Sequence, residues 1–182
     1  MKILEYIETR RSAMTFKPVP ISIESIKVLL DAASLAPSAY NEQPWRFYVA
    51  RREKEVGFNR ILSALAEPNQ VWAKNASVLV ATAFEPKLNR NNADNFHALH
   101  DLGLATSCML IQAQSMGLIT HVMGGFNRVT LRDNLSIPDS QEIGAVIAIG
   151  LPGNIDELPE KLRDRSISPR SRKALDEVCR FV

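Results

Sequence analysis

A mixed α/β fold built on a central sheet is what this sequence predicts, and three observations predict it. Two short unbroken apolar runs, SVLVATAF (Ser77–Phe84) and EIGAVIAIG (Glu142–Gly150), have the pattern of strands covered on both faces. Ile26, Leu29, Leu30 and Ala33 recur at the i, i+3, i+4, i+7 spacing of an amphipathic helix. A third segment, DNFHALHDLGLATSCMLIQAQSMG, is apolar or small on nearly every side from Leu102 to Met116. A helix of that kind cannot face water, so it belongs in the centre of a domain or in a contact between subunits.

The elements follow in order. Ile3, Leu4 and Ile7 share one face of a first helix over about residues 2–11. KPVP (Lys17–Pro20) enforces an extended connection, because proline fixes its own φ and biases its predecessor. Ser22 is the expected N-cap of the second helix, which Pro37 ends. RFYVAR (Arg46–Arg51) reads as a strand, and Glu55 to about Ala66 as a helix. The long helix is expected to begin near Asn92 or Asp94 and to stop at Gly117, which suits a left-handed C-terminal position. LITHVMGGF (Leu118–Phe126) reads as a strand closing on a glycine pair. Beyond the last apolar run, a charged and proline-punctuated tail from about residue 152 reads as an arm reaching over a partner subunit. Its end, RKALDEVCRFV, fits a short helix or a terminal strand.

Composition narrows the class. The 182 residues are 46% hydrophobic and 23% charged, an ordinary globular mixture for one domain. A net charge of +2 is too small to announce a nucleic-acid or membrane surface. Basic residues do gather late, seven against four acidic ones from Pro159 to Val182, which suffices for a phosphate group but not for a duplex. Cys108 and Cys179 alone build neither a disulfide framework nor a structural zinc set. The N-terminus lacks the apolar core of a secretory signal, and no run reaches a membrane span, so a cytoplasmic location is expected.

Neither a phosphate-binding P-loop nor a G-x-G-x-x-G fingerprint occurs, and there is no G-x-S-x-G elbow. His97 and His100 share a helix face near Asp94, but nothing else supplies matching metal ligands, so no metal is expected. Arg10, Arg11 and Ser12 offer planar donor forks beside a hydroxyl, a receptor for a phosphate or a ring carbonyl. The same arginines also read as cations complementing a helix C-terminus. PRSRK (Pro169–Lys173) is a second basic knot, or a solvated charge run. In LAPSAYNEQPWRF (Leu35–Phe47), Asn41 and Gln43 each carry a donor and an acceptor, matching the alternating edge of a flat heterocycle. The plainer reading makes Asn41 an Asx-turn residue and Trp45 core filling.

Taken together, RRS near the start, APSAYNEQPWRF, DLGLATSCMLIQAQSMGL, MGGF, IGLP and PRSRKALDEV, in that order, make the chain similar to the FMN-dependent nitroreductase family. The resemblance implies an α+β fold with a central antiparallel or mixed sheet flanked by helices, and a homodimer with the C-terminal arm on the partner. It implies FMN at two interface sites. Arg10, Arg11 and Ser12 would hold the ribityl phosphate and part of the ring. Pro37, Ser38, Asn41 and Gln43 would meet the flavin, with Pro37 and Ser38 coming from the partner. Gly124 and Gly125 would lie near N5, and Arg170 and Arg172 at the phosphate. NADH or NADPH would stack on the flavin and give hydride, and a small-molecule acceptor such as a nitroaromatic or quinone would then take its place, with no side chain acting as nucleophile. The sequence also departs from the family pattern. Met14 stands where many relatives carry a basic residue, Gly124 where some carry an acidic one, and no mid-chain helical insertion is present. Dehalogenation, flavin fragmentation, dehydrogenation of a heterocycle, or flavin binding without turnover are the alternatives on the same scaffold.

Overall fold

The computed structural model describes residues 2–182. Four strands, β1 (Trp45–Arg51), β2 (Val78–Phe84), β3 (Ile119–Met123) and β4 (Glu142–Gly150), form one sheet in the order β1-β2-β4-β3. Every neighbouring pair is antiparallel. The two apolar runs are the central strands β2 and β4, and the alternation of their side chains divides two cores. Val78, Val80, Ile147 and Ile149 face α2 (Ile23–Ser34) and α5 (Ala98–Ser115), whose Ile26, Leu29, Leu102, Ala105 and Met109 pack on them. Leu79, Ala81, Val146 and Ala148 face the other way, toward Phe16, Phe58, Ile61, Trp72 and Leu131. The architecture is α+β, a four-stranded antiparallel sheet flanked by helices.

Local chemistry explains most boundaries. Ser22 caps α2 as expected, its hydroxyl accepting from the Ser25 N–H at 3.0 Å. Gly117 ends α5 at φ +71°, the left-handed conformation that costs glycine least. Between β2 and β4 the register shifts at Ala81/Ala83, where the Thr82 hydroxyl bonds both backbone groups of Ala145. A Cβ at Gly144 would lie 2.6 Å from Leu102 Cδ2 and 2.7 Å from Thr82 Oγ1, so only glycine lets the helix and the bulge approach there.

Several expectations need correction. The first helix, α1, is shorter, Glu5–Thr9. The helix expected over 55–66 ends earlier, as α3 (Glu55–Leu62), and a further helix, α4 (Glu67–Ala73), follows it with Pro68 in its opening turn, where a missing N–H costs nothing. The long helix begins at Ala98 rather than at Asn92 or Asp94. Residues 87–94 instead close a tight turn held by Leu88 N–H on the Ala93 carbonyl at 2.8 Å and by a Lys87–Asp94 ion pair. Strand β3 stops at Met123, before the glycine pair. A polar helix, α6 (Arg128–Leu135), follows it and is capped by Asn127, whose side chain accepts from the Thr130 N–H.

The tail is not extended from residue 152. Phe16 bridges Pro152, and the Gly153 N–H bonds the Thr15 carbonyl at 2.9 Å. Helix α7 (Glu160–Ile167) then brings Leu162 against the core. From Ile167 to Val182, a stretch that includes the four-residue α8 (Leu175–Val178), every residue is exposed. No described helix is long and apolar enough to cross a membrane.

Candidate functional site

The chain leaves α1 at Arg10 in an extended conformation, and Ser12 then pairs with Thr120 at the β3 edge of the sheet in a parallel bridge. This fifth, short edge segment fixes where the RRS triplet points. The C-terminal segment returns to the same place. Arg11 Nη2 donates to the Ser168 carbonyl at 2.6 Å, and Arg170 Nη1 approaches the Arg10 carbonyl at 3.5 Å. Arg10, Arg11, Ser12, Arg170 and Arg172 thereby line one pocket of about 190 Å³. Among the described residues no carboxylate pairs with any of these four arginines. Burial, with the Arg172 and Arg170 cations beside it, holds the Arg10 guanidinium below its ordinary range. A pocket of unpaired guanidiniums is a receptor for a multiply charged oxyanion.

A second cavity of about 320 Å³ adjoins it through Arg11 and Ser12, and Met14, His121, Arg165 and Ser166 also line it. Met14 is buried in the core and supplies no charge there. His121 was not legible as a site residue from its strand alone. Its Nδ1–H donates to the Ala13 carbonyl at 3.0 Å, and its ring lies 4.6 Å from that of Trp72. Burial lowers its pKa below the usual 6.5, and the Arg165 and Arg10 cations act the same way against the hydrogen bond to Ala13. The folded chain therefore keeps this imidazole neutral where the unfolded chain would protonate it. Stability conferred by His121 is complete above the ordinary histidine pKa and is lost as pH falls below it. Urea unfolding between pH 7.5 and 5.5 is expected to show a steeper loss of stability in the wild type than in His121→Phe. Equal slopes would place the imidazole outside this linkage.

The carboxamide turn lies elsewhere. Tyr40, Asn41 and Gln43 adopt φ of 53°, 56° and 47°, three left-handed residues with side chains in four positions. Such backbone is uphill by about 1–3 kcal/mol per residue and clusters at functional sites. The turn is closed by the Asn41 N–H on the Ser38 carbonyl and the Gln43 N–H on Ser38 Oγ, both at 3.0 Å. Trp45 anchors its far end in the core. Pro37 and Ser38 border an open hollow with His97, His100, Asp101 and Leu104 from α5. Asp101, which follows His100 on the helix, accepts the Ala39 N–H on Oδ2 at 2.9 Å. On the histidine face, His100 Nδ1 lies 3.3 Å from Asp101 Oδ1.

The glycine pair forms a third place. The Gly125 carbonyl accepts from the Ala66 N–H at 3.0 Å and from Asn69 Nδ2 at 3.1 Å, and a Cβ at Gly125 would meet that amide at 3.0 Å. A Cβ at Gly124 would meet nothing within 4 Å, so open space lies over that residue. Asn69 escaped sequence reasoning because α4 itself did. The fold thus unites Arg10, Arg11 and Ser12 with Arg170 and Arg172. It places neither the carboxamide turn nor Gly124 and Gly125 in the cavities those arginines line.

An arginine-lined pocket at the edge of a helix-flanked antiparallel sheet marks this α+β protein. The chain belongs to the nitroreductase family, whose model matches residues 7–82 and 65–151. It is 33% identical over 153 residues, 82% of this chain and 84% of the other, to an Archaeoglobus fulgidus protein provisionally named an NADH dehydrogenase/NAD(P)H nitroreductase. It is also similar to iodotyrosine deiodinase 1 of Mus musculus, 24% identical over 200 residues, 96% of this chain and 67% of that one. A solved structure described as an oxidoreductase containing FMN superposes with a TM-score of 0.93 at 32% identity, covering 100% of this chain and 94% of that one.

Proposed function

We propose that this chain is an FMN-dependent oxidoreductase that draws electrons from NADH or NADPH and reduces nitroaromatic, quinone or related acceptors in ping-pong order. The observation that carries this reading is the pocket of Arg10, Arg11, Ser12, Arg170 and Arg172, whose cations have no carboxylate partners among the described residues. The phosphate monoester of FMN would relieve their mutual repulsion, so the donor set fits that group. FMN, when bound, supplies the two-electron exchange between a reduced nicotinamide and an acceptor. The chain's own residues bind and tune. The arginines hold the phosphate and lend positive potential that Met14 cannot, Asn41 and Gln43 offer paired donors and acceptors to a ring edge, and Gly124 keeps space open.

The reading requires two subunits, with Pro37, Ser38, Asn41 and Gln43 of one completing the pocket of the other and residues 173–182 forming the arm. Apolar surface supports it. Phe96 is 89% exposed, Leu99 60% and Phe181 92%, more than a lone chain has reason to leave in water. The test is colour. Protein purified with FMN is expected to be yellow and to bleach when NADH or NADPH is added without oxygen. Protein that stays colourless after FMN incubation would end the flavin reading, and yellow protein that neither nicotinamide bleaches would end the proposed donor. A second reading, reductive dehalogenation, draws on the likeness to the mouse deiodinase. An acceptor panel that includes an iodinated phenol separates the two.

A further inference from the structure

Asp101 is a carboxylate 3% exposed, and among the described residues no lysine or arginine pairs with it. The only ionisable side chain in contact with it among the described residues is His100, an imidazole on the exposed side of α5. Keeping an ion in such a place is costly unless it is hydrogen-bonded to some purpose. The bond it makes is to the Ala39 N–H, 62 residues away in sequence, at the opening of the strained turn. The turn's own bonds close on themselves: Asn41 N–H to the Ser38 carbonyl, Glu42 N–H to the Ala39 carbonyl and Gln43 N–H to Ser38 Oγ. They shape the turn without fixing its direction relative to the sheet. Toward its other end it is tied by the Asn89 N–H on Glu42 Oε2 at 2.8 Å and by the Glu85 N–H on the Pro44 carbonyl at 2.9 Å. At the Ser38 end, the Asp101–Ala39 bond is the side-chain tie.

We infer that Asp101 is a positioning residue of the flavin site, holding the Ala39 amide so that Asn41 and Gln43 present their carboxamides in one fixed direction. The inference rests on the FMN reading and assigns a role to a residue that itself touches no flavin. It acts by preorganisation: a turn left free to swing must be ordered again by the ligand, and affinity falls by that amount.

The test measures FMN affinity by flavin fluorescence quenching on folded, flavin-stripped protein, together with the melting temperature of the same samples. Asp101→Ala is expected to raise the dissociation constant about tenfold, the scale of one lost hydrogen bond to a charged group. Asp101→Asn keeps an oxygen that can accept the Ala39 N–H and is expected to stay within about threefold of wild type. Ala39→Pro removes the donor instead. It is sterically permitted because Ser38 is extended at φ −143°, ψ 154° and residue 39 opens a short 3-10 turn. It should reproduce the alanine loss, and the double variant should be no worse than either single one. Should Asp101→Ala fail to fold, Ala39→Pro and Asp101→Asn carry the test. Unchanged affinity in Asp101→Ala or Ala39→Pro, whatever happens to melting temperature, would reduce Asp101 to a structural role, as would losses that add. A wild-type chain that takes up no FMN fails the functional reading first, before any variant is compared.

Discussion

Alanine at Arg10 or at Arg172 is expected to raise the FMN dissociation constant by about 10- to 100-fold, the span of one lost hydrogen bond to a charged group. The folded chain should be no less stable for it. Among the described residues Arg172 bonds only the neighbouring Ser171 carbonyl, and Arg10 and Arg172 lie in a pocket where cations face cations. Arg10 in particular is held below its ordinary pKa by burial and by the Arg172 and Arg170 charges, so removing Arg172 relieves strain in the flavin-free protein. Two measurements decide the matter: flavin retained after gel filtration, and the melting temperature of the flavin-free form. Wild-type affinity should also weaken with added salt more steeply than that of either variant, because exposed phosphate–guanidinium pairs are screened. Retention equal to wild type in Arg172→Ala would remove the C-terminal pair from the site. A melting temperature that falls with affinity would mean the arginine holds Ser168–Arg172 in place and binds nothing.

How far the sequence revealed this architecture follows from where each signal resides. Strand β4 was legible over Glu142–Gly150 because a central strand is apolar on both faces and needs no partner to announce itself. Helix α6 was not, since RVTLRDNL buries Leu131 alone and so carries no apolar period. The tail hid α7 in the same way, with Leu162 among charges. Of the proposed site, the arginines and carboxamides could be nominated from sequence because their chemistry is local to a few residues. His121 and Asp101 owe their meaning to distant groups, the Ala13 carbonyl for one and the Ala39 amide for the other. A buried carboxylate and an exposed one are the same letter on a helix. Met14 was legible as a departure, and its burial in the core explains why a thioether is tolerated there.

Replacing Trp72 by alanine is expected to destabilise the chain by about 3–5 kcal/mol, the cost of emptying a fully buried indole site. Against a total that is commonly about 5–15 kcal/mol, such a loss leaves the protein close to unfolding. The effect should reach the site as well, because of what the ring touches. Trp72 is 2% exposed, stacked on Phe16 at 6.0 Å and tilted against His121 at 4.6 Å. Phe16 ends the edge segment that begins at Arg10, and His121 holds that same segment through the Ala13 carbonyl. An empty Trp72 site therefore frees the segment at both points where it meets the core, and Arg10, Arg11 and Ser12 move with it. Trp72→Phe keeps an aromatic ring beside the same two neighbours and should cost distinctly less. Urea unfolding gives the stability loss, and flavin affinity under conditions where the variant is still folded gives the coupling to the site. If Trp72→Ala lowers stability as expected yet binds FMN like wild type, the edge segment is held from the C-terminal side, by Arg11 on the Ser168 carbonyl, and the aromatic stack serves the core alone.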